Sequence, residues 1–202
     1  MAYGAKSSDI KEGSYLSYGE YENGRIALVD VDPAKKRVKG EETDDVCDVI
    51  FTHKGGKFQL RTFNPDTGTD EVKKEKNSEY ASKLFAYIAK KLTGKEQEVP
   101  TTISSFEELT VWFLETIGPK EVYSKVPVNF KLVGNEYNGK ANIQVTKYFG
   151  WLERVDSEKK PKFSPNEIAS NNAYDKFLRE KTPKTKTSES SDDSGGTEDL
   201  AF

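Results

Sequence analysis

Residues 46–63 read VCDVIFTHKGGKFQLRTF, two apolar-rich runs from Val46 to His53 and from Lys57 to Phe63 on either side of Lys54-Gly55-Gly56. Glycines in so short a connection supply the positive φ that tight antiparallel turns need, so the stretch predicts a β-hairpin. In the first run Cys47, Val49 and Phe51 share one face, which makes Cys47 a small core residue and His53 an ordinary polar strand end beside the turn. In the return run Phe58, Leu60 and Thr62 face one way, and Lys57, Gln59, Arg61 and Phe63 the other. One side is core and the other is wet.

Working outward, Arg25 to Val31 before Asp32-Pro33 predicts a strand upstream of this hairpin. Downstream, Val126, Val128, Phe130 and Leu132 alternate with outward positions that include Asn129 and Lys131, and run into Asn138-Gly139, the strongest hairpin dipeptide. The partner strand points Ala141, Ile143 and Val145 inward and Lys140, Asn142, Gln144 and Thr146 outward, and continues into Lys147-Tyr148-Phe149-Gly150-Trp151-Leu152. Between the two hairpins the apolar period changes from 2 to 3.6. Tyr80, Leu84, Tyr87, Ile88 and Leu92 form one helical stripe that ends at Gly94. A second helix starts at the Ser105/Glu108 capping box, carries Phe106, Leu109, Phe113 and Ile117, and stops at Gly118-Pro119. Ser164-Pro165-Asn166-Glu167 predicts a third start, leading toward Tyr174, Phe177 and Leu178. No internal repeat is visible. This order predicts a mainly β, α+β domain over residues 1–180, a small Greek-key barrel interrupted by a helical insertion at about residues 78–118.

Composition bounds the rest. Phe, Leu, Ile and Val make up 44 of 202 residues, near the lower edge for a globular chain, so part of the chain is expected to stay unfolded. That part begins after Arg179. A basic linker, Lys181 to Thr187, leads into residues 188–202, which hold five acids and no base; without them the net charge of −3 becomes +2. Residues 181–202 therefore read as a disordered acidic tail ending Leu200-Ala201-Phe202. No apolar run approaches the ~20 residues of a membrane helix, and the first residues lack the order of a signal peptide, so no membrane association and a cytoplasmic location are expected. One Cys and one His exclude an internal disulfide and a thiolate-imidazole zinc cage.

No phosphate-binding glycine loop, dinucleotide fingerprint or nucleophile elbow is present, so no enzyme activity and no cofactor are expected. Glu41, Glu42, Asp44, Asp45 and Asp48 read as a solvated acidic loop rather than a magnesium site. What remains is a polar sheet face on which cations and aromatics interleave: Lys57, Arg61 and Phe63 on one hairpin, and Lys131, Tyr137, Lys140, Lys147, Tyr148 and Trp151 on the other. Single-stranded nucleic acid asks for that mixture, because cations follow phosphates and aromatic faces stack on unpaired bases without requiring a sequence. Strand parity points Arg61, Lys131 and Lys140 outward. For Phe63, Tyr137, Tyr148 and Trp151, base stacking and core packing both stay open, while Phe130 and Phe149 read as core. Near-neutral overall charge confines any basic surface to a stripe. In the tail, Asp192, Asp193, Glu198, Asp199, Leu200 and Phe202 offer a partner an acidic tether with an apolar, carboxylate-bearing end.

Taken together, this order, the stacking residues and Glu198-Asp199-Leu200-Ala201-Phe202 resemble the single-stranded DNA-binding proteins of bacteriophage replisomes. Further similarity lies in Phe63-Asn64-Pro65, in Val126 to Val133 before Asn138-Gly139, and in Lys147-Tyr148-Phe149-Gly150-Trp151-Leu152-Glu153; in outline it covers most of residues 10–155. The resemblance implies a five-stranded OB-fold Greek-key barrel with two inserted helices and sequence-tolerant binding of single-stranded DNA. It also implies tail-mediated recruitment of a phage polymerase, helicase-primase or recombinase. Ala201 stands where related bacterial tails carry proline, and Gly195-Gly196 interrupts the acids. Competing expectations are a protein-interaction module of host-takeover or scaffold type, an RNA-binding relative, and a small nuclease using Glu41, Glu42, Asp44 and Asp48.

Overall fold

The longest strand organises the sheet by changing partners partway along its length. The computed structural model describes residues 15–32, 46–67, 70–146 and 148–181. In it β1 (Gly19–Asp32) pairs through Gly19 to Gly24 with β4 (Val128–Tyr137) and through Arg25 to Asp32 with β2 (Val46–His53), both antiparallel. Register shifts between Tyr21 and Gly24 and between Ile26 and Leu28, with Asn23 at φ 58°, bend the strand where it changes neighbour. β2 turns at Lys54-Gly55, both at positive φ, into β3 (Gly56–Phe63), and β4 turns at Asn138-Gly139 into β5 (Lys140–Gln144). The resulting order is β3-β2-β1-β4-β5, with β6 (Leu152–Arg154) also on β4. Among the described residues the protein is thus mixed α/β, with a six-stranded antiparallel sheet and four helices, one strand more than the sequence pattern announced.

Three of the four helices lie where the sequence pattern put them, with different limits, and a single turn after the second is additional to it. α1 (Glu71–Thr93) begins seven residues before the predicted insertion, at an N-cap where the Asp70 carboxylate accepts from Lys73 N–H, and ends at left-handed Gly94. α2 (Phe106–Ile117) is capped by Ser105, whose hydroxyl accepts from Glu108 N–H, while the Asp66 carboxylate accepts from Phe106 N–H. Each such cap contributes on the order of 1 kcal/mol. A single turn, α3 (Lys120–Tyr123), precedes β4. The core lies between one sheet face and the inserted helices: Cys47, Val49 and Phe51 are fully buried on β2, against Leu84, Phe85 and Ile88 of α1 and Phe113 of α2. Cys47 takes the core position its strand parity assigned to it.

α4 (Pro165–Lys181), started by the predicted Ser164 and Glu167 cap, packs against β4. Beyond the end of β1 it stands in for the missing neighbour: Asn171 Oδ1 accepts from Gly134 N–H at 2.8 Å, and Ser170 Oγ donates to Gly134 C=O at 2.7 Å. A Cβ at Gly134 would lie 2.7 Å from Tyr174 Cγ, so glycine is what lets the helix approach this closely.

Candidate nucleic-acid interface

α4 changes the status of the face of β4 on which Lys131 and Asn129 were expected to meet solvent. Both are buried, Lys131 to 7% exposure. The Lys131 ammonium donates to the Glu167 carboxylate and to Lys162 C=O, each at 2.8 Å, and Asn129 Oδ1 accepts from Asn23 N–H. Burial alone pushes Glu167 up, but the hydrogen bonds from Lys131 and Ser164 outweigh it and leave the carboxyl below its ordinary value. Lys131 is therefore a clamp between sheet and helix, and the expectation that it lies on the binding face is corrected: a helix with a matching carboxylate covers it.

A second correction concerns the aromatic run after β5. β5 and β6 lie in succession along one edge of β4, pairing Gln144 with Val133 and Leu152 with Phe130. Two β4 residues, Lys131 and Leu132, thus span the gap that residues 145–151 must cross. The residues described there, 145–146 and 148–151, leave the ladder as an excursion, and they separate. Trp151 returns to the sheet, with Lys131 N–H donating to Trp151 C=O, and its ring is fully buried beside Phe51 and Tyr87. No base can stack on it, so Trp151 leaves the candidate site. Tyr148 and Phe149 stay outside the core, 81% and 41% exposed. Phe149 therefore does not complete the core as its sequence position suggested. It stacks on Tyr80 of α1 with ring centroids 6.3 Å apart and planes 14° from parallel.

Between these elements runs an open groove of about 880 Å³, walled by β3, the first half of α1, and Ile143 to Val145 at the end of β5. The two strands at the ends of the pairing path thus face one another across a gap. Arg61, Phe63, Lys73, Lys74, Asn77 and Tyr80 all line it. Arg61 is fixed by a two-pronged pair with the buried Asp48 carboxylate, Nε to Oδ1 and Nη2 to Oδ2, both 2.8 Å. These bonds hold its guanidinium above the ordinary pKa. They use two of its five N–H groups and leave the Nη1 pair uncommitted to Asp48. Gln59 is oriented by the same carboxylate, donating from Nε2 at 2.6 Å. Asp48, grouped in the sequence with a solvated acidic loop, is thus a buried strand residue that aims two groove side chains. Lys73 and Lys74 pair with Asp70 and Glu71 one turn away, exposed pairings weak enough to exchange for phosphate.

The remaining expected residues scatter. Lys57 sits at the turn end of β3 with its ammonium 5.5 Å from the centroid of the exposed Tyr15 ring. Tyr137 and Lys140 pair across the exposed tip of the β4–β5 hairpin, where Lys181 donates to Gly139 C=O. Lys147, the acids at 41, 42, 44 and 45, and the tail residues Asp192, Asp193, Glu198, Asp199, Leu200 and Phe202 lie outside the described residues. Sequence reasoning missed Lys73, Lys74, Asn77 and Tyr80. The available signal was the spacing of Lys73 and Asn77, which continues the face of Tyr80 and Leu84 upstream along α1.

Among the described residues no group of three or more His, Cys, Asp or Glu side chains could hold a metal ion, and no helix is long and apolar enough to cross a membrane. No family model, curated protein or solved structure matches the chain.

Proposed function

We propose that the protein binds single-stranded DNA with little regard to sequence, along the groove between β3, α1 and β5, on an open OB-type Greek-key barrel. The observation that carries this reading is the convergence on one groove of three cations, Arg61, Lys73 and Lys74, with two part-exposed rings, Phe63 and Tyr80, the latter extended by Phe149. Cations spaced along a groove serve phosphates of any sequence, and every base has a face to stack. The strand order supports the barrel: three strands follow one another as neighbours and the fourth returns, after the helices, beside the first. Small barrels of this kind take oligonucleotides on the side of their second and third strands, and β3 forms one wall here.

In this reading the protein coats strands exposed during phage replication or recombination. Its acidic tail occupies the groove when DNA is absent and becomes available to replication proteins when DNA binds. Binding of oligo-dT followed across a salt series tests both halves. The affinity falls with a slope of about −0.7 per phosphate contact, and a chain ending at Thr187 binds more tightly than the full chain at matched salt. Salt-independent association sinks the reading in favour of a protein-interaction module, and equal affinity of the two chains removes the competition.

A further inference from the structure

Tyr87 lies on α1 two turns beyond Tyr80, half-buried, and makes no use of its hydroxyl within the helix. Instead the phenol oxygen accepts from Gly150 N–H at 3.0 Å and from Leu152 N–H at 2.9 Å, and donates to Leu152 C=O at 2.6 Å. That fills both lone pairs and the one proton of a phenol. Its ring also meets Phe149 at 4.9 Å and Trp151 at 5.6 Å between centroids. One side chain thus reaches both the residue entering β6 and the tip of the excursion that carries Phe149. The other end is braced as well, since Thr146 Oγ1 donates to Tyr148 C=O at 2.7 Å. Gly150, whose N–H reaches the phenol, has φ 111°, a backbone setting that side-chain-bearing residues rarely adopt. Burial, partly offset by the backbone bonds, pushes the Tyr87 phenol up to about 12. It therefore stays a protonated donor throughout the neutral range.

We infer that Tyr87 is a positioning residue for base stacking: its hydroxyl sets the Tyr148–Gly150 excursion so that Phe149 extends the Tyr80 ring into one aromatic platform beside the groove. The inference rests on the single-strand reading and adds a division of labour to it. Phosphates are held by the cations of β3 and α1, and bases by a platform whose geometry is set from behind by a group that touches no DNA.

Two oligomers of equal length separate these contributions, oligo-dT and a chain of abasic deoxyribose phosphates. The unaltered protein prefers oligo-dT. Tyr87→Phe keeps the ring and removes the three hydrogen bonds. It lowers the preference about tenfold, the order expected for one stacked base, while abasic affinity and salt slope stay as they were. Gly150→Ala strains the same hydrogen bond from the other side without touching the core, and lowers the preference similarly. In a Phe149→Ala background Tyr87→Phe has no further effect, because it acts through that ring. A full oligo-dT preference in Tyr87→Phe or in Gly150→Ala overturns the positioning role, as does an equal loss for both oligomers. If the unaltered protein binds neither oligomer, the single-strand reading fails and this inference falls with it.

Discussion

The protein carries cations on two faces, and their surroundings give them opposite work. On β4, Lys131 faces α4 and is enclosed with Glu167, whose carboxylate Ser164 N–H also contacts. Along the groove, Lys73 and Lys74 have their partners on their own helix turn, open to solvent. Strand parity gave Lys131 the same outward direction as Arg61. Enclosure of the cation itself decides whether it holds the fold or remains available to a ligand: the Lys131 side chain is 9% exposed, whereas Arg61, though its partner Asp48 is buried on the neighbouring strand, is 38% exposed. Removing one member of an enclosed pair leaves the other desolvated and uncompensated, whereas an exposed pair is worth at most about 1 kcal/mol.

The largest test of this contrast is Lys131→Met. Stranding Glu167 against the sheet is expected to cost about 3 kcal/mol, read as a lower denaturant midpoint, with the salt slope of oligo-dT binding in the still-folded protein unchanged. A slope that fell with Lys131→Met would return that lysine to the interface. The converse variant, Lys73→Ala with Lys74→Ala, leaves stability within about 0.5 kcal/mol and reduces the salt slope by about 0.7 per lost phosphate contact. An unchanged slope would take the first turn of α1 out of the DNA track.

Where the fold was legible, the signal was local. The hairpins at Lys54-Gly55 and Asn138-Gly139 and the starts at Ser105 and Ser164 each lie within a few residues of the pattern that announces them. The burial of Lys131 was not legible, because it depends on a helix whose Glu167 lies 36 residues away. Tyr148, Phe149 and Trp151 are neighbours in sequence and part company in space because seven residues cross a gap that β4 spans with two. That mismatch exists only once the register of both strands on β4 is known. The groove likewise joins β3, α1 and β5, three segments that no single window contains. Arg61 and Phe63 were found because both project from one strand at period 2. Tyr80 has a place on the apolar stripe of α1, and that place says nothing of where the sheet beside it ends and leaves the ring part-exposed.

The contrast between the two faces also has a pH dependence, the mildest of these effects. Glu167 and Glu20 both hold α4 and the segment before it: Glu20 accepts from Lys162 Nζ at 2.6 Å and from Phe163 N–H at 2.8 Å. Burial raises each carboxyl, but its hydrogen bonds dominate and leave it below the ordinary value of 4.5. A carboxyl depressed in the folded state contributes stability that is complete above its unfolded pKa and disappears as pH falls through the folded one. Attachment of α4 is therefore insensitive to pH from about 5 to 8 and weakens below about 4.5. The Gly134 amide, held by Asn171, reports it directly. Its hydrogen-exchange protection, corrected for the intrinsic rate, should drop in acid while that of Val49 in the β2 core persists. Glu167→Gln, which cannot ionise, should flatten the drop at Gly134. Constant protection at Gly134 down to about pH 3 would mean that the carboxylates do not hold the helix. Apolar contact such as that of Tyr174 against Gly134 would then suffice to keep Lys131 covered.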